Sequence, residues 1–123
     1  MPHFSKRSMD NLASCHPDLQ RLFQGVIEHV DCSILEGHRS IERQQELFEA
    51  GKSQVRKGRH NDFPSLAVDV APYPIDWDDH LRWRDFANFV KGYAASLDIP
   101  VEWGGDWKSF KDRPHWQLPV DHK

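Results

Sequence analysis

Four residues of this chain could do metal chemistry together: His60, Asp69, Asp112 and His115. A catalytic zinc takes three protein ligands of N or O type and leaves a fourth position open for water. It also needs a base near that water. Two imidazoles and the Asp69 carboxylate can supply the ligands. Asp112, three residues before His115, would then be tethered within a few ångströms of the water. The residue types point to a hydrolytic zinc centre.

Singly, these residues say less. Leu66-Ala67-Val68 and Val70-Ala71 surround Asp69 with apolar side chains. A buried carboxylate without a partner is costly, so Asp69 is either a metal ligand, or an aspartate that caps a loop or pairs with Arg39 or Arg59. Local sequence favours neither. His60 alone reads as a solvent-exposed loop residue. His115, between Pro114 and Trp116, fits a ligand or a packed imidazole equally. Lys111-Asp112-Arg113-Pro114 is common turn chemistry, and Arg39 at a strand end fits a surface salt bridge. His3, His16, His29, His80 and His122 read as surface or helix-face residues. His38, beside Arg39, is a reserve ligand.

The elements that must position these residues are short. Leu19, Leu22, Phe23, Val26, Ile27 and Val30 share one face of a helix over Pro17–Val30, with Pro17 suited to its first turn. Asp31–Leu35 reads as a strand ended by Gly37. Ser40 can cap a second helix carrying Ile41, Gln45, Leu47 and Phe48, which stops near Gly51. Lys52–Pro64 is polar and reads as a loop. Leu66–Ala71 is a buried strand with Asp69 inside it, broken by Pro72-Tyr73-Pro74. Asp76, Asp78 and Asp79 suit the start of a helix that buries Phe86, Phe89, Val90, Tyr93, Ala94 and Leu97 and ends at Pro100. Val101–Trp103 is a strand, Gly104-Gly105 a turn and His115–Leu118 a last strand. This order predicts an α+β fold with a small antiparallel sheet and flanking helices.

Residues 1–123 are expected to form one domain, with a helical segment over about 1–30 and a catalytic core over about 31–119. The 38% hydrophobic and 28% charged residues describe a globular chain. A net charge of −3 leaves no electrostatic footprint for nucleic acid. The basic cluster Lys52, Arg56, Lys57 and Arg59 reads as a solvated loop, with contact to an anionic cell-wall polymer as a secondary use. Cys15 and Cys32 read as two buried free thiols. The first seven residues have no apolar run behind them, so no signal peptide is expected, and no stretch is long enough to insert in a membrane. Synthesis in the cytoplasm follows.

Taken in order, the motifs resemble the D-alanyl-D-alanine carboxypeptidase and L-alanyl-D-glutamate endopeptidase family of zinc peptidases, which includes the vancomycin-resistance D,D-peptidases and many phage endolysins. They are Gly37-His38-Arg39-Ser40 with Gln44 following, His60 with Ala67-Val68-Asp69, and Asp112-Arg113-Pro114-His115. Trp103-Gly104-Gly105-Asp106-Trp107 looks like the phage-type members. Gly58 and Ser65 stand where the family usually has Ser and Gly, and the His60–Asp69 gap is two residues longer than the commonest spacing.

The resemblance implies a hedgehog/D,D-peptidase-like fold and Zn2+ held by His60, Asp69 and His115. It implies Asp112 as general base and acid, and Arg39 as oxyanion stabiliser. The implied substrate is the peptidoglycan peptide stem, cut at L-Ala–D-Glu by a monomeric endolysin reaching the wall after holin-type release. A D-Ala–D-Ala carboxypeptidase and a non-catalytic zinc-containing wall-binding module are the alternatives.

Overall fold

A computed structural model describes residues 2–53, 58–109 and 111–123. Helix α1 (Lys6–Ala13) and helix α2 (Pro17–Ile27) precede strand β1 (Cys32–Glu36) and helix α3 (Ile41–Glu49). A 3-10 turn at Arg59–Asn61 leads to strand β2 (Ala67–Pro72) and the long helix α4 (His80–Ser96). Strand β3 (Glu102–Trp103), a 3-10 turn at Gly104–Asp106 and strand β4 (His115–Gln117) follow. The strands form one antiparallel sheet in the order β1-β2-β4-β3.

Pairing register decides which side chains share a face. Ile34 lies opposite Val70, Val68 opposite Trp116, and Trp103 opposite Trp116. Side chains alternate along a strand, so these five point to one side. There they join Leu19, Leu22, Phe23 and Val26 of α2 and Phe86, Ala87 and Val90 of α4 in the hydrophobic core. Burying each of the Val, Leu, Ile and Phe side chains among them stabilises the fold by roughly 1.5–3 kcal/mol. The opposite face carries Asp69 across from His115, and Gln117 between Ala67 and Glu102. One side of the sheet is thus core, and the other carries Asp69 and His115, two of the candidate site residues.

Strand β1 is an edge, and α1 covers it. The Ile34 N–H donates to Ser8 Oγ at 3.0 Å, and Asn11 Nδ2 donates to the Ile34 carbonyl at 2.9 Å. Side chains thereby satisfy backbone groups that an open edge would leave for another chain. Sequence periodicity does not resolve α1 as a separate helix. Its eight residues bury only Ser8 and Leu12, and it starts on a Ser5 cap that accepts from the Ser8 N–H.

Several sequence expectations need correction. In α3 the buried side chain is Gln44, whereas Ile41 is 41% exposed and Gln45 is exposed. Ser40 does cap it, accepting from the Arg43 N–H. Helix α4 ends at Ser96, before Pro100, because Asp98 turns the chain with a φ of 58°. Its most buried aromatic is Trp83, while Phe89, Tyr93 and Leu97 are partly buried. The segment read as a loop contains the Arg59–Asn61 turn. Arg56 and Lys57 of the basic cluster lie outside the described residues. Cys15 and Cys32 are buried free thiols, each pushed up to about 12 by burial. No described helix is long and apolar enough to cross a membrane.

Candidate metal centre

His60, Asp69 and His115 arrive from three directions. Asp69 sits in β2 and His115 directly opposite it in β4. His60 is delivered by the 3-10 turn, anchored where the Arg39 N–H donates to the His60 carbonyl at 2.7 Å. Arg39 in turn follows the end of β1. Each side chain offers one ligand atom, and the three atoms lie within 4.8 Å of one another. His60 Nε2 is 3.2 Å from Asp69 Oδ1, and His115 Nδ1 is 3.5 Å from the same oxygen. The imidazoles are almost wholly buried, at 5% and 9% side-chain exposure, with Asp69 at 15%.

The outer nitrogens decide what the inner ones can do. His60 Nδ1 is 2.7 Å from the Gly37 carbonyl, which can only accept, so Nδ1 carries the proton. Its Nε2 is therefore a bare lone pair when the ring is neutral. His115 Nε2 is 2.8 Å from Gln117 Oε1, and its Nδ1 turns toward Asp69. With both rings neutral, two lone pairs and a carboxylate oxygen thus converge, acceptor facing acceptor. A cation between them removes that repulsion, and outward imidazole N–H groups held by oxygen acceptors are the usual surroundings of metal-ligating histidine. The donor set, two N and one O, suits zinc.

Asp112 and Arg39 stand beside this group. Asp112 Oδ2 lies 3.9 Å from His115 Nδ1. Burial, and then the charge of Asp69, push its carboxyl above the ordinary range. Gly104 makes the placement of Asp112 possible: the Asp112 N–H donates to the Gly104 carbonyl at 3.0 Å, and a Cβ on Gly104 would stand 2.3 Å from the Asp112 carbonyl oxygen. Arg39 Nη2 is 3.6 Å from Asp69 Oδ2. Its guanidinium also donates to Glu36 Oε1 through Nε and Nη2, and to Gln44 Oε1 through Nη1 at 2.7 Å. Burial by itself raises the Asp69 carboxyl, whereas imidazoles of His115 and His60 that also carry a proton on the inner nitrogen hold it well below the usual carboxylate range.

The structure therefore gathers all five residues singled out from the sequence. Of the two arginines considered as partners of Asp69, Arg39 is the one that reaches it. His38 stays outside the group: it is exposed, its Nδ1 lies 3.0 Å from the Asp62 carbonyl, and its ring meets Phe63 edge-on. His16 and His122 are not plain surface residues, since they flank Asp18 in a second His–Asp–His group. Sequence reading missed Glu36, Gln117 and Glu102 around the centre. Gln117 had a legible signal, because it lies two residues from His115 and so on the same strand face.

The sequence matches the family described as phage L-alanyl-D-glutamate peptidase over residues 1–117. The chain belongs to that family. Among curated relatives it is 30% identical over 102 residues to the peptidoglycan L-alanyl-D-glutamate endopeptidase CwlK of Bacillus subtilis (strain 168), covering 72% of this chain and 61% of that protein. It is 31% identical over 90 residues to the L-alanyl-D-glutamate peptidase of Listeria phage A118, covering 72% of this chain and 31% of that one. The chain thus spans less than two thirds of either relative. Its fold matches the Serratia marcescens L-Ala D-Glu endopeptidase ChiX at a TM-score of 0.82 and 38% identity, over 95% of this chain and 90% of that one. A fold match to a vancomycin-resistance D,D-pentapeptidase, VanY, solved with Zn(II), has a TM-score of 0.50 and 18% identity, over 83% of this chain and 68% of that one.

Proposed function

We propose that this family member is a zinc-dependent peptidoglycan peptidase that cleaves the L-Ala–D-Glu bond of the peptide stem. The reading rests on the convergence of His60 Nε2, Asp69 Oδ1 and His115 Nδ1, each imidazole with its outer nitrogen on an oxygen acceptor. Family membership supports the choice of substrate and bond.

His60, Asp69 and His115 would hold the zinc. When bound, zinc supplies Lewis acidity toward the attacking water and the scissile carbonyl. Asp112 takes a proton from the attacking water as its oxygen bonds to the carbonyl carbon. The same carboxyl returns that proton to the amine of D-Glu as the C–N bond breaks. Arg39 brings positive charge toward the oxyanion that develops. Glu36 and Gln44 hold its guanidinium in place beforehand, which limits reorganisation during the reaction. His60 and His115 contribute fixed orientation, since both rings are buried and tethered at their outer nitrogens.

We read residues 1–123 as a single peptidase domain acting as a monomer. The phage relative supports action on the cell wall, with holin-type release as the route from the cytoplasm. Digestion of purified peptidoglycan followed by mass spectrometry tests the reading. The expected products are peptides with a new D-Glu amino terminus, lost on chelation and regained with zinc. Free D-Ala as the sole product would reject the endopeptidase assignment in favour of a carboxypeptidase. Wall binding without chelator-sensitive cleavage would reject catalysis altogether.

A further inference from the structure

On the sheet face that carries His115, Gln117 and Glu102 continue the line of side chains, and the proposed mechanism gives neither a step. His115 and Gln117 point to the same side of β4, and Glu102 of β3 stands directly across from Gln117. Gln117 Oε1 is 2.8 Å from His115 Nε2, and Gln117 Nε2 is 3.1 Å from Glu102 Oε2. The other oxygen of Glu102 accepts from Trp107 Nε1 at 2.7 Å.

These contacts allow one assignment of protons. A carboxylate can only accept, so the amide end facing Glu102 is the NH2 group. The amide oxygen then faces His115, and His115 Nε2 must donate. In the neutral ring Nδ1 is then left with its lone pair toward Asp69 Oδ1, 3.5 Å away. The reversed amide would set its oxygen against the Glu102 carboxylate. It would also offer NH2 to His115 Nε2, moving the imidazole proton to Nδ1. That proton would point straight at Asp69 and occupy the place a metal needs.

We propose that Glu102 and Gln117 are positioning residues that select the metal-binding tautomer of His115, with Trp107 aiming the Glu102 carboxylate. The proposal rests on the zinc reading above for its purpose, but its proton pattern can be measured without zinc. Glu102 is exposed while Gln117 is buried, so Glu102→Gln alters the pattern with little risk to folding.

The decisive experiment combines zinc affinity, by chelator competition, with the His115 tautomer read from long-range 1H–15N NMR of the metal-free protein at about pH 9, where an ordinary imidazole is neutral. Wild type is expected to show the Nε2–H tautomer. Glu102→Gln and Gln117→Leu should populate Nδ1–H and weaken zinc binding about 10–100-fold, the usual loss for an outer partner of a ligand. The double variant E102Q/Q117E exchanges carboxylate and amide while keeping every donor opposite an acceptor. It should recover the Nε2–H tautomer and zinc affinity to within a few-fold of wild type. A role in packing alone predicts no such recovery.

Unchanged tautomer and affinity in both single variants would overturn the proposal, as would a double variant no better than Glu102→Gln. A wild-type protein that binds no zinc would reject the zinc reading instead. The tautomer measurements would still decide whether the relay exists.

Discussion

Among the described residues two groups share one composition, and their difference separates a candidate metal centre from a proton clasp. His60, Asp69 and His115 form one; His16, Asp18 and His122 form the other. In the second group every contact already has its hydrogen. His16 Nδ1 accepts from the Asp18 N–H at 3.0 Å and caps α2. His122 Nε2 stands 2.6 Å from Asp18 Oδ2, and since a carboxylate only accepts, the imidazole donates. That clasp ties the end of the described chain to α2 and needs no ion. In the first group the hydrogens point outward, to the Gly37 carbonyl and Gln117, and acceptors face inward. Composition is shared; the direction of the N–H bonds is not.

The strongest way to break this contrast is to remove each carboxylate in turn. Asp69→Ala should abolish hydrolysis and weaken zinc binding by more than the roughly 100-fold that loss of an outer partner can cause. Asp18→Ala should leave one zinc bound per chain, measured by equilibrium dialysis. A second zinc that disappears in Asp18→Ala would erase the distinction. Asp112→Ala should lower hydrolysis about 10²–10⁴-fold with zinc retained; concurrent metal loss would make Asp112 a ligand and not the base. Gly104→Ala forces the Asp112 loop away from β3. It should lower stability by about 1–3 kcal/mol in urea unfolding and reduce turnover, whereas unchanged turnover would show that the close approach does not set the position of Asp112.

The smallest effect belongs to the clasp. The hydrogen bond from His122 holds the Asp18 carboxyl below its ordinary value of 3.8. A lowered folded-state pKa adds stability above the unfolded value and loses it as pH falls through the folded one. Asp18→Asn should therefore be less stable than wild type near pH 5, by at most about 1 kcal/mol for so open a pair. The gap should close as pH falls through the lowered folded-state pKa of Asp18, as read from urea midpoints. A gap that persists in acid would mean the clasp works through shape and not charge.

How much of this was legible beforehand depends on the range of each interaction. Helices α2 and α4 announce themselves, because apolar residues repeat along one face and that face is buried. Asp69 stands out because a carboxylate amid Leu66, Val68 and Val70 demands a partner. Helix α3 misled, since its buried residue is a polar Gln44 that supports Arg39 while its apolar Ile41 faces solvent. Strands β3 and β4, of two and three residues, are too short for alternation to show which face each residue takes. The pairing of Glu102 with Gln117 depends on sheet register. That of His122 with Asp18 spans 104 positions, and nothing local encodes either.

Strand β4 joins the two halves of the molecule in three residues. Trp116 is fully buried among Phe23, Trp103 and the core of the sheet, while its neighbours His115 and Gln117 face the side of the candidate metal centre. The chain cannot order one without ordering the other. A ligand that binds the folded form alone raises its stability by RT ln(1 + [L]/Kd). Metal availability and core integrity are consequently linked quantities here. Loosening Trp116 would weaken ion affinity from the far side of the sheet, and a saturating ion would raise the melting temperature of a core it never touches.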